Sequence, residues 1–226
     1  KYLDTDESNP NVLCLRGIAY RKVKSFEASL ADFKKAINLI PTNASVYSEI
    51  AVTQFHMGEL KSSLENMNAS QQLEPNNPYR YSSRAYIKDA IGDTEGAIAD
   101  YKKCIELDPD DAIAYNNLGI LLSKLDKKNS ALENYEKAIK INPNYAEAYN
   151  NLGNLYNKLK KYNEAIICFE KAIRINPNFN FLYGNLILTK CIICDWKSFK
   201  KDIKNLEKNI KIKKKNSTTL PYFITF

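Results

Sequence analysis

The chain has 226 residues, 44% of them hydrophobic, and carries a formal net charge of +7. Its apolar runs stay well short of the roughly 18 residues that a membrane span needs, and no charged, apolar and small-residue leader opens it, which argues against a membrane span and a signal peptide. The charge does not indicate a general nucleic-acid-binding protein, because nine lysines against Asp202 and Glu207 between Lys197 and Lys215 account for all of it.

A proline recurs every 34 residues along the chain, without insertion or deletion. The five prolines are Pro41, Pro75, Pro109, Pro143 and Pro177. A fixed period of this kind is typical of stacked structural repeats. Each period holds two apolar patterns with helical spacing, and proline ends the second because it lacks an N–H group and clashes with the preceding turn. The sequence therefore predicts an all-α array of helix–turn–helix units.

In chain order, residues 1–9 are interpreted as the end of a preceding repeat, 10–179 as five repeats, 180–215 as a sixth, divergent capping pair, and 216–226 as a linker toward a following domain. The first helices are predicted near 11–23, 45–57, 79–91, 113–125, 147–159 and 181–193. The second helices are predicted near 27–39, 61–73, 95–107, 129–141, 163–175 and 197–214. The lysines of the last helix are interpreted as its solvated outer face, with contact to phosphates or acidic lipids as the alternative.

The fullest copy of the repeat runs from Ala146 to Phe179. A small residue, Gly153, lets its two helices approach closely, and the aromatic Phe169 fills the space beside that contact. The same slots in this copy hold Tyr149, Leu152, Tyr156, Ala165, Ala172 and Pro177. This pattern resembles the tetratricopeptide repeat (TPR). The resemblance implies a right-handed αα superhelix, or solenoid, that binds proteins or peptides.

The five cysteines are Cys14, Cys104, Cys168, Cys191 and Cys194. An odd number argues against a disulfide framework and for a reducing, intracellular location, which we take to be the cytoplasm. Cys191 and Cys194 form a single C-x-x-C pair without the further ligands that a zinc site needs. We therefore expect the cysteines to be small buried packing residues.

The first helices of stacked hairpins line the concave side of the array. If the fourth, seventh, eighth and eleventh positions of each first helix face the core, the second, sixth, ninth and thirteenth face the opposite way. The candidate peptide-binding residues on that face are Asn117, Asn151, Asn185, Asn154, Lys124, Lys158, Tyr86 and His56. An asparagine amide has one acceptor and two donors, so a row of asparagines could hold peptide backbone. The alternative is that the asparagines and lysines are ordinary repeat residues.

The chain shows no active site of its own. It contains no P-loop, dinucleotide fingerprint, nucleophile elbow or zinc-protease motif, and His56 has no catalytic partner assigned to it by spacing. The lysine-rich carboxylate clamp of some tetratricopeptide repeats is also missing, because its positions hold Cys14, Ile18, Glu49, Tyr79 and Ser83. We therefore expect no catalytic residue, metal or cofactor in this chain.

The segment around Ile193-Cys194-Asp195-Trp196 resembles the junction between the repeats and the catalytic region of O-linked N-acetylglucosamine transferases. Gly184-Asn185-Leu186 before it and Leu220-Pro221-Tyr222-Phe223 after it extend the likeness. The resemblance implies that Asn117, Asn151 and Asn185 grip substrate and that a UDP-sugar site lies in a downstream domain. The function predicted is a protein-interaction scaffold, as the substrate-recruiting arm of such a transferase or, alternatively, as a free-standing adaptor. Nucleic acid is not an expected partner, and self-association is left open.

Overall fold

The computed structural model describes residues 8–178 and 182–216, and these residues form twelve helices and no strand. The first six helices are α1 (Pro10–Lys22), α2 (Phe26–Leu39), α3 (Ala44–Met57), α4 (Leu60–Leu73), α5 (Pro78–Ala90) and α6 (Thr94–Leu107). The others are α7 (Ala112–Lys124), α8 (Lys128–Ile141), α9 (Ala146–Lys158), α10 (Tyr162–Ile175), α11 (Leu182–Ile192) and α12 (Phe199–Asn216). The predicted all-α repeat fold is confirmed, and the helix ends lie close to the predicted ones. Most of the expected preceding repeat and the expected linker, residues 1–7 and 217–226, lie outside the described residues.

The turn after each first helix repeats the 34-residue period in its backbone conformation. One residue per turn has a positive φ, and these residues are Lys24, Gly58, Gly92, Asp126, Lys160 and Cys194. A left-handed residue ends an α-helix by redirecting the chain, and glycine adopts it without a Cβ penalty. Gly58 and Gly92 are therefore the expected residues, and the other four show that lysine, aspartate and cysteine also adopt this conformation here.

Asparagine side chains begin several of the first helices. The side chains of Asn9, Asn43 and Asn77 accept hydrogen bonds from backbone N–H groups in the first turns of α1, α3 and α5. A side-chain oxygen at this position satisfies a donor that the helix itself leaves unpaired. Asn43 and Asn77 each follow a repeat proline by two residues, so the end of one repeat and the start of the next are fixed together.

Two glycines allow the close helix contact that the sequence predicts. A Cβ atom on Gly17 would lie 2.8 Å from Cε1 of Phe33, and one on Gly153 would lie 2.7 Å from Cε1 of Phe169. Real Cβ atoms do not approach other carbon atoms so closely. Glycine is thus required where the aromatic ring of the second helix rests on the first.

The chain divides into two compact units, residues 1–121 and 122–226. In unit 1, each helix from α1 to α6 packs against the next, and the core includes the buried side chains of Leu13, Phe33 and Ile50. In unit 2, α8 to α12 pack in the same sequential way around Phe169, Leu182 and Leu186. Neighbours in sequence are therefore neighbours in space within each unit, as expected of a repeat fold.

The second repeat departs from the consensus but keeps its packing. Ser63 and Ser70 occupy positions where alanine is usual, and both are fully buried. Their hydroxyl groups donate to the backbone oxygens of Ala51 and Ala44 at 2.7 Å. A buried hydroxyl costs little when it is hydrogen-bonded, so the serines substitute for alanine without opening the core.

Two ion pairs that were not predicted from the sequence lie inside unit 1. Arg16 pairs with Asp32 and Arg84 pairs with Asp100, each through two N–O contacts of 2.7 Å. Both carboxylate side chains are almost buried, with 5% and 7% of their surface exposed. The arginines stand at the seventh repeat position, where the fullest copy has Leu152. An ion pair between the two helices of a repeat here takes the place of an apolar contact.

The cysteines do not share one environment. Cys104 and Cys168 are buried, as expected, whereas Cys14 and Cys191 are half-buried and Cys194 is exposed. The expectation of buried packing residues is therefore wrong for Cys194, because it occupies the left-handed turn residue after α11. Burial together with Asp111 raises the pKa of Cys104 to about 12. Burial, with Glu136 and Glu164, raises the pKa of Cys168 to about 12.

Alkylation at about pH 8 is expected to modify Cys194 well before Cys104 and Cys168, because only thiolates react, Cys194 is exposed, and the other two thiols are buried with raised pKa values. At pH values between the ordinary thiol pKa and about 12, Cys104 and Cys168 stay protonated in the folded chain but lose their protons in the unfolded chain. Their stabilising contribution is thus full below the ordinary pKa and is lost as the pH rises toward 12. Mass spectrometry of iodoacetamide-treated peptides measures the order, and equal rates at the three cysteines would contradict it.

Candidate functional site

Unit 1 has a groove with a volume of about 310 Å³. Helices α3, α5 and α7, the first helices of successive repeats, supply most of its lining. The groove residues are Val52, Phe55, His56, Met67, Ser82, Ser83, Tyr86, Ile87, Tyr101, Ile113 and Asn117. The structure therefore brings three of the eight predicted residues, His56, Tyr86 and Asn117, into one site.

Four aromatic rings form a continuous row, and three of them, His56, Phe55 and Tyr86, line the groove. The ring of His56 stacks on Phe26 with a centroid distance of 6.2 Å and meets Phe55 edge-on at 6.1 Å. Phe55 lies 5.1 Å from Tyr86, whose side chain remains 59% exposed. Ring pairs at these distances stabilise one another and present flat apolar surface. His56 thus lies among aromatic rings, an environment that favours a role in binding.

Asn117 is held at the floor of the groove. Its Oδ1 atom lies 3.4 Å from the donating Nδ2 of Asn116, which is fully buried. The hydroxyl of Tyr101 hydrogen-bonds Asn117, and burial raises the pKa of that tyrosine above its ordinary value. Asn117 is itself only half-buried. Its amide is therefore fixed in orientation while one side faces the groove.

In unit 2, two of the predicted asparagines bond to each other. Asn185 donates from Nδ2 to Oδ1 of Asn150 at 3.2 Å and to Oδ1 of Asn154 at 3.3 Å. Asn151 is half-buried on the same helix, α9. These bonds link α11 to α9. The predicted asparagine row is thus partly an internal amide cluster in this unit.

The two predicted lysines lie at the surface of unit 2. Lys158 donates from Nζ to Oγ of Ser123 at 3.4 Å, and its side chain is exposed. Lys124 is likewise exposed. Exposed lysines of this kind contribute through charge and are screened by salt.

Several groove residues were not singled out from the sequence. Phe55, Tyr101 and Ile113 line the groove, and Asn150 joins the amide cluster of unit 2. The sequence did carry a signal for Ile113. It is the second residue of α7, a position predicted to face the groove, and it is apolar yet 60% exposed. Tyr101 carries no such signal, since an aromatic residue on a second helix is predicted to fill the core.

Within residues 8–178 and 182–216, no three His, Cys, Asp or Glu side chains form a group that could hold a metal ion. No helix in this part of the chain combines the length and apolar content needed to cross a bilayer.

Family models described as tetratricopeptide repeat or TPR repeat match residues 10–43, 90–126, 127–160 and 146–179. Together these matches cover more than half of the chain. The chain belongs to the tetratricopeptide repeat family. The TPR identification agrees with the glycine–phenylalanine contacts and the periodic turns described above.

Solved structures of similar fold include TPR proteins. The MamA protein has a TM-score of 0.64 and 23% identity, over 75% of this chain and 92% of MamA. Pseudomonas aeruginosa pilF has a TM-score of 0.77 and 16% identity, over 92% of this chain and 97% of pilF. YrrB, described as a TPR protein with an unusual peptide-binding site, has a TM-score of 0.60 and 18% identity, over 80% of this chain and 92% of YrrB. Comparison with curated protein sequences gave no match.

Proposed function

We propose that this TPR chain is a protein-interaction module whose unit 1 binds an extended segment of a partner in the groove of α3, α5 and α7. The observation that carries the proposal is an apolar groove whose border stays exposed. Of its lining residues, Tyr86 and Ile113 are 59% and 60% exposed. Exposed apolar surface beside a concave site is typical of peptide recognition. The peptide-binding site named for YrrB is a precedent for this kind of protein.

The groove offers both parts of a peptide-binding site. Tyr86, Phe55 and Ile113 provide apolar surface for one large side chain of the ligand. Ser82, Ser83 and the amide of Asn117 provide hydrogen-bonding groups for its backbone. We therefore expect ligands that share an aromatic or large aliphatic residue and differ elsewhere in sequence.

Asn151 and Asn185 remain proposed backbone contacts of unit 2. Because Asn185 already donates to Asn150 and Asn154, a ligand there would have to replace existing hydrogen bonds. Exchange of one hydrogen bond for another gives little net free energy. We accordingly assign the dominant contribution to the groove of unit 1.

Substituting Tyr86→Ala or Ile113→Ala is expected to weaken peptide binding by about tenfold or more, since large apolar anchors dominate the affinity of such interfaces. The measurement is a dissociation constant, by calorimetry, for peptides selected from a displayed library. The matched control is Ile167→Ala, because Ile167 is 64% exposed on α10 in unit 2. Equal affinities for Ile113→Ala and Ile167→Ala would refute the proposed site.

A second candidate is the substrate-recruiting arm of an O-linked N-acetylglucosamine transferase-like enzyme. It rests on the Ile193–Trp196 segment, which links α11 to α12. The test is an assay of UDP-sugar transfer to peptides by the full-length natural protein. Transfer that falls in an Asn117→Ala/Asn151→Ala variant, and falls alike for unrelated peptides, supports this candidate. A protein without transfer activity that still binds peptides supports the free-standing adaptor.

A further inference from the structure

We propose that the end of unit 2 binds the surface of an anionic phospholipid membrane, through the lysines of α12 and the apolar turn that precedes them. This inference is independent of the peptide groove. It starts from an exposed apolar cluster, defined here as Leu188, Ile192, Ile193 and Trp196, whose side chains are 65%, 57%, 36% and 55% exposed. Large apolar side chains so close in sequence seldom stay in water unless they bind something.

The second observation is the charge beside this cluster. Lys197, Lys200, Lys201, Lys204 and Lys208 are all exposed, and Lys211, Lys213, Lys214 and Lys215 follow in sequence. The exposed Glu207 offsets one of these charges. Asp202 does not offset another, because it is only 7% exposed and faces inward. It accepts hydrogen bonds from Lys190 at 3.1 Å and from Ser198 at 2.6 Å. The outer surface of α12 is therefore more positive than its composition suggests.

The third observation is how Trp196 is presented. Its ring meets Phe199 edge-on at a centroid distance of 5.1 Å, so the first turn of α12 supports it. Lys197 and Lys200 follow it in sequence. A tryptophan with lysines around it is the arrangement favoured at a lipid headgroup layer, where the ring lies among acyl chains and the cations meet phosphates.

The aliphatic members of the cluster favour a membrane over a nucleic acid. Nucleic-acid surfaces are recognised by stacking rings and by arginine, and α12 contains no arginine. Ile192 and Ile193 gain nothing from phosphate backbone but are stabilised in acyl chains. Phe199, Ile203, Leu206 and Ile210 of α12 are half-buried, and α12 packs on α11. The inserting surface is therefore the end of α11 with the turn after it, and α12 supplies the charge.

Trp196 is the only tryptophan of the chain, so its fluorescence reports on this surface alone. The experiment mixes the protein with vesicles of phosphatidylcholine, with and without phosphatidylserine, and with brominated acyl chains. The expected result is a blue shift and bromine quenching with phosphatidylserine vesicles only, both reduced by salt. Emission that stays unshifted while the protein sediments with the vesicles would overturn the proposal.

Two triple variants separate this surface from general positive charge. Lys200→Gln/Lys201→Gln/Lys204→Gln is expected to lower the vesicle partition coefficient by at least about tenfold. Lys34→Gln/Lys61→Gln/Lys102→Gln removes the same charge from exposed positions of α2, α4 and α6 and is expected to leave partitioning nearly unchanged. Equal losses in both variants would overturn the proposal. Tight binding to single-stranded RNA without vesicle binding, or a blue shift that grows with protein concentration without lipid, would also overturn it.

Discussion

A Phe169→Ala substitution is expected to destabilise unit 2 by about 3–5 kcal/mol, the usual cost of removing a buried phenylalanine ring. The Phe169 side chain is fully buried and packs with Leu182 and Leu186. Its ring also rests on the backbone of Gly153, where a Cβ atom would be only 2.7 Å away. The cavity would therefore open against two neighbouring helices, α9 and α11. Urea unfolding, followed by the fluorescence of Trp196 within the same unit, measures the loss.

Two companion variants test the cause of that loss. Ile167→Ala lies on the same helix at a 64% exposed position and is expected to change the free energy of unfolding by no more than about 0.5 kcal/mol. Gly153→Ala is expected to destabilise the wild-type chain by about 1–3 kcal/mol, because the added methyl overlaps the ring. The same methyl should cost less in the Phe169→Ala background, where it enters the cavity. Additive effects of the two substitutions would contradict the proposed contact.

The fold was predictable because the information is periodic. The spacing of the prolines fixes the repeat length, and turn residues such as Gly58 and Asp126 fall where each first helix ends. Gly17 and Gly153 likewise marked the close helix contacts correctly. Each of these signals recurs at equivalent positions of several repeats.

The polar interactions were harder to predict, because arginine and aspartate are residue types that usually lie at the surface. Arg84 alone suggests a surface residue, and only its pairing with Asp100, 16 residues later, places it inside. The same spacing recurs between Arg16 and Asp32, and that recurrence was the available signal. The face of the candidate site followed from helical periodicity. The hydrogen bonds of Asn185 could not be predicted in this way, because they depend on side-chain distances between repeats.

An Asp100→Ala substitution is expected to destabilise unit 1 by about 3–5 kcal/mol. Asp100 accepts two contacts of 2.7 Å from Arg84 and a third, of 2.8 Å, from Nζ of Lys88. The Arg84 and Lys88 side chains are only 15% and 18% exposed, so removing the carboxylate leaves two cations with little access to water. Urea unfolding followed by helical circular dichroism measures the effect. The exposed pair of Lys103 and Glu106 provides the control, since Glu106→Ala should cost at most about 1 kcal/mol.

A double variant tests whether the unpaired charge of Arg84 causes the loss of stability in Asp100→Ala. If the unpaired charge is responsible, Arg84→Leu/Asp100→Ala should be more stable than Asp100→Ala, although it removes more atoms. The double variant has leucine at position 84, as the fullest repeat has at the equivalent position, Leu152. Lys88 can then extend its stem toward water, because it is the most exposed of the three. A double variant less stable than Asp100→Ala would show that Arg84 acts mainly through packing and through its bonds to Asn68 and Gln71. The ion pair would then be incidental to the stability of unit 1.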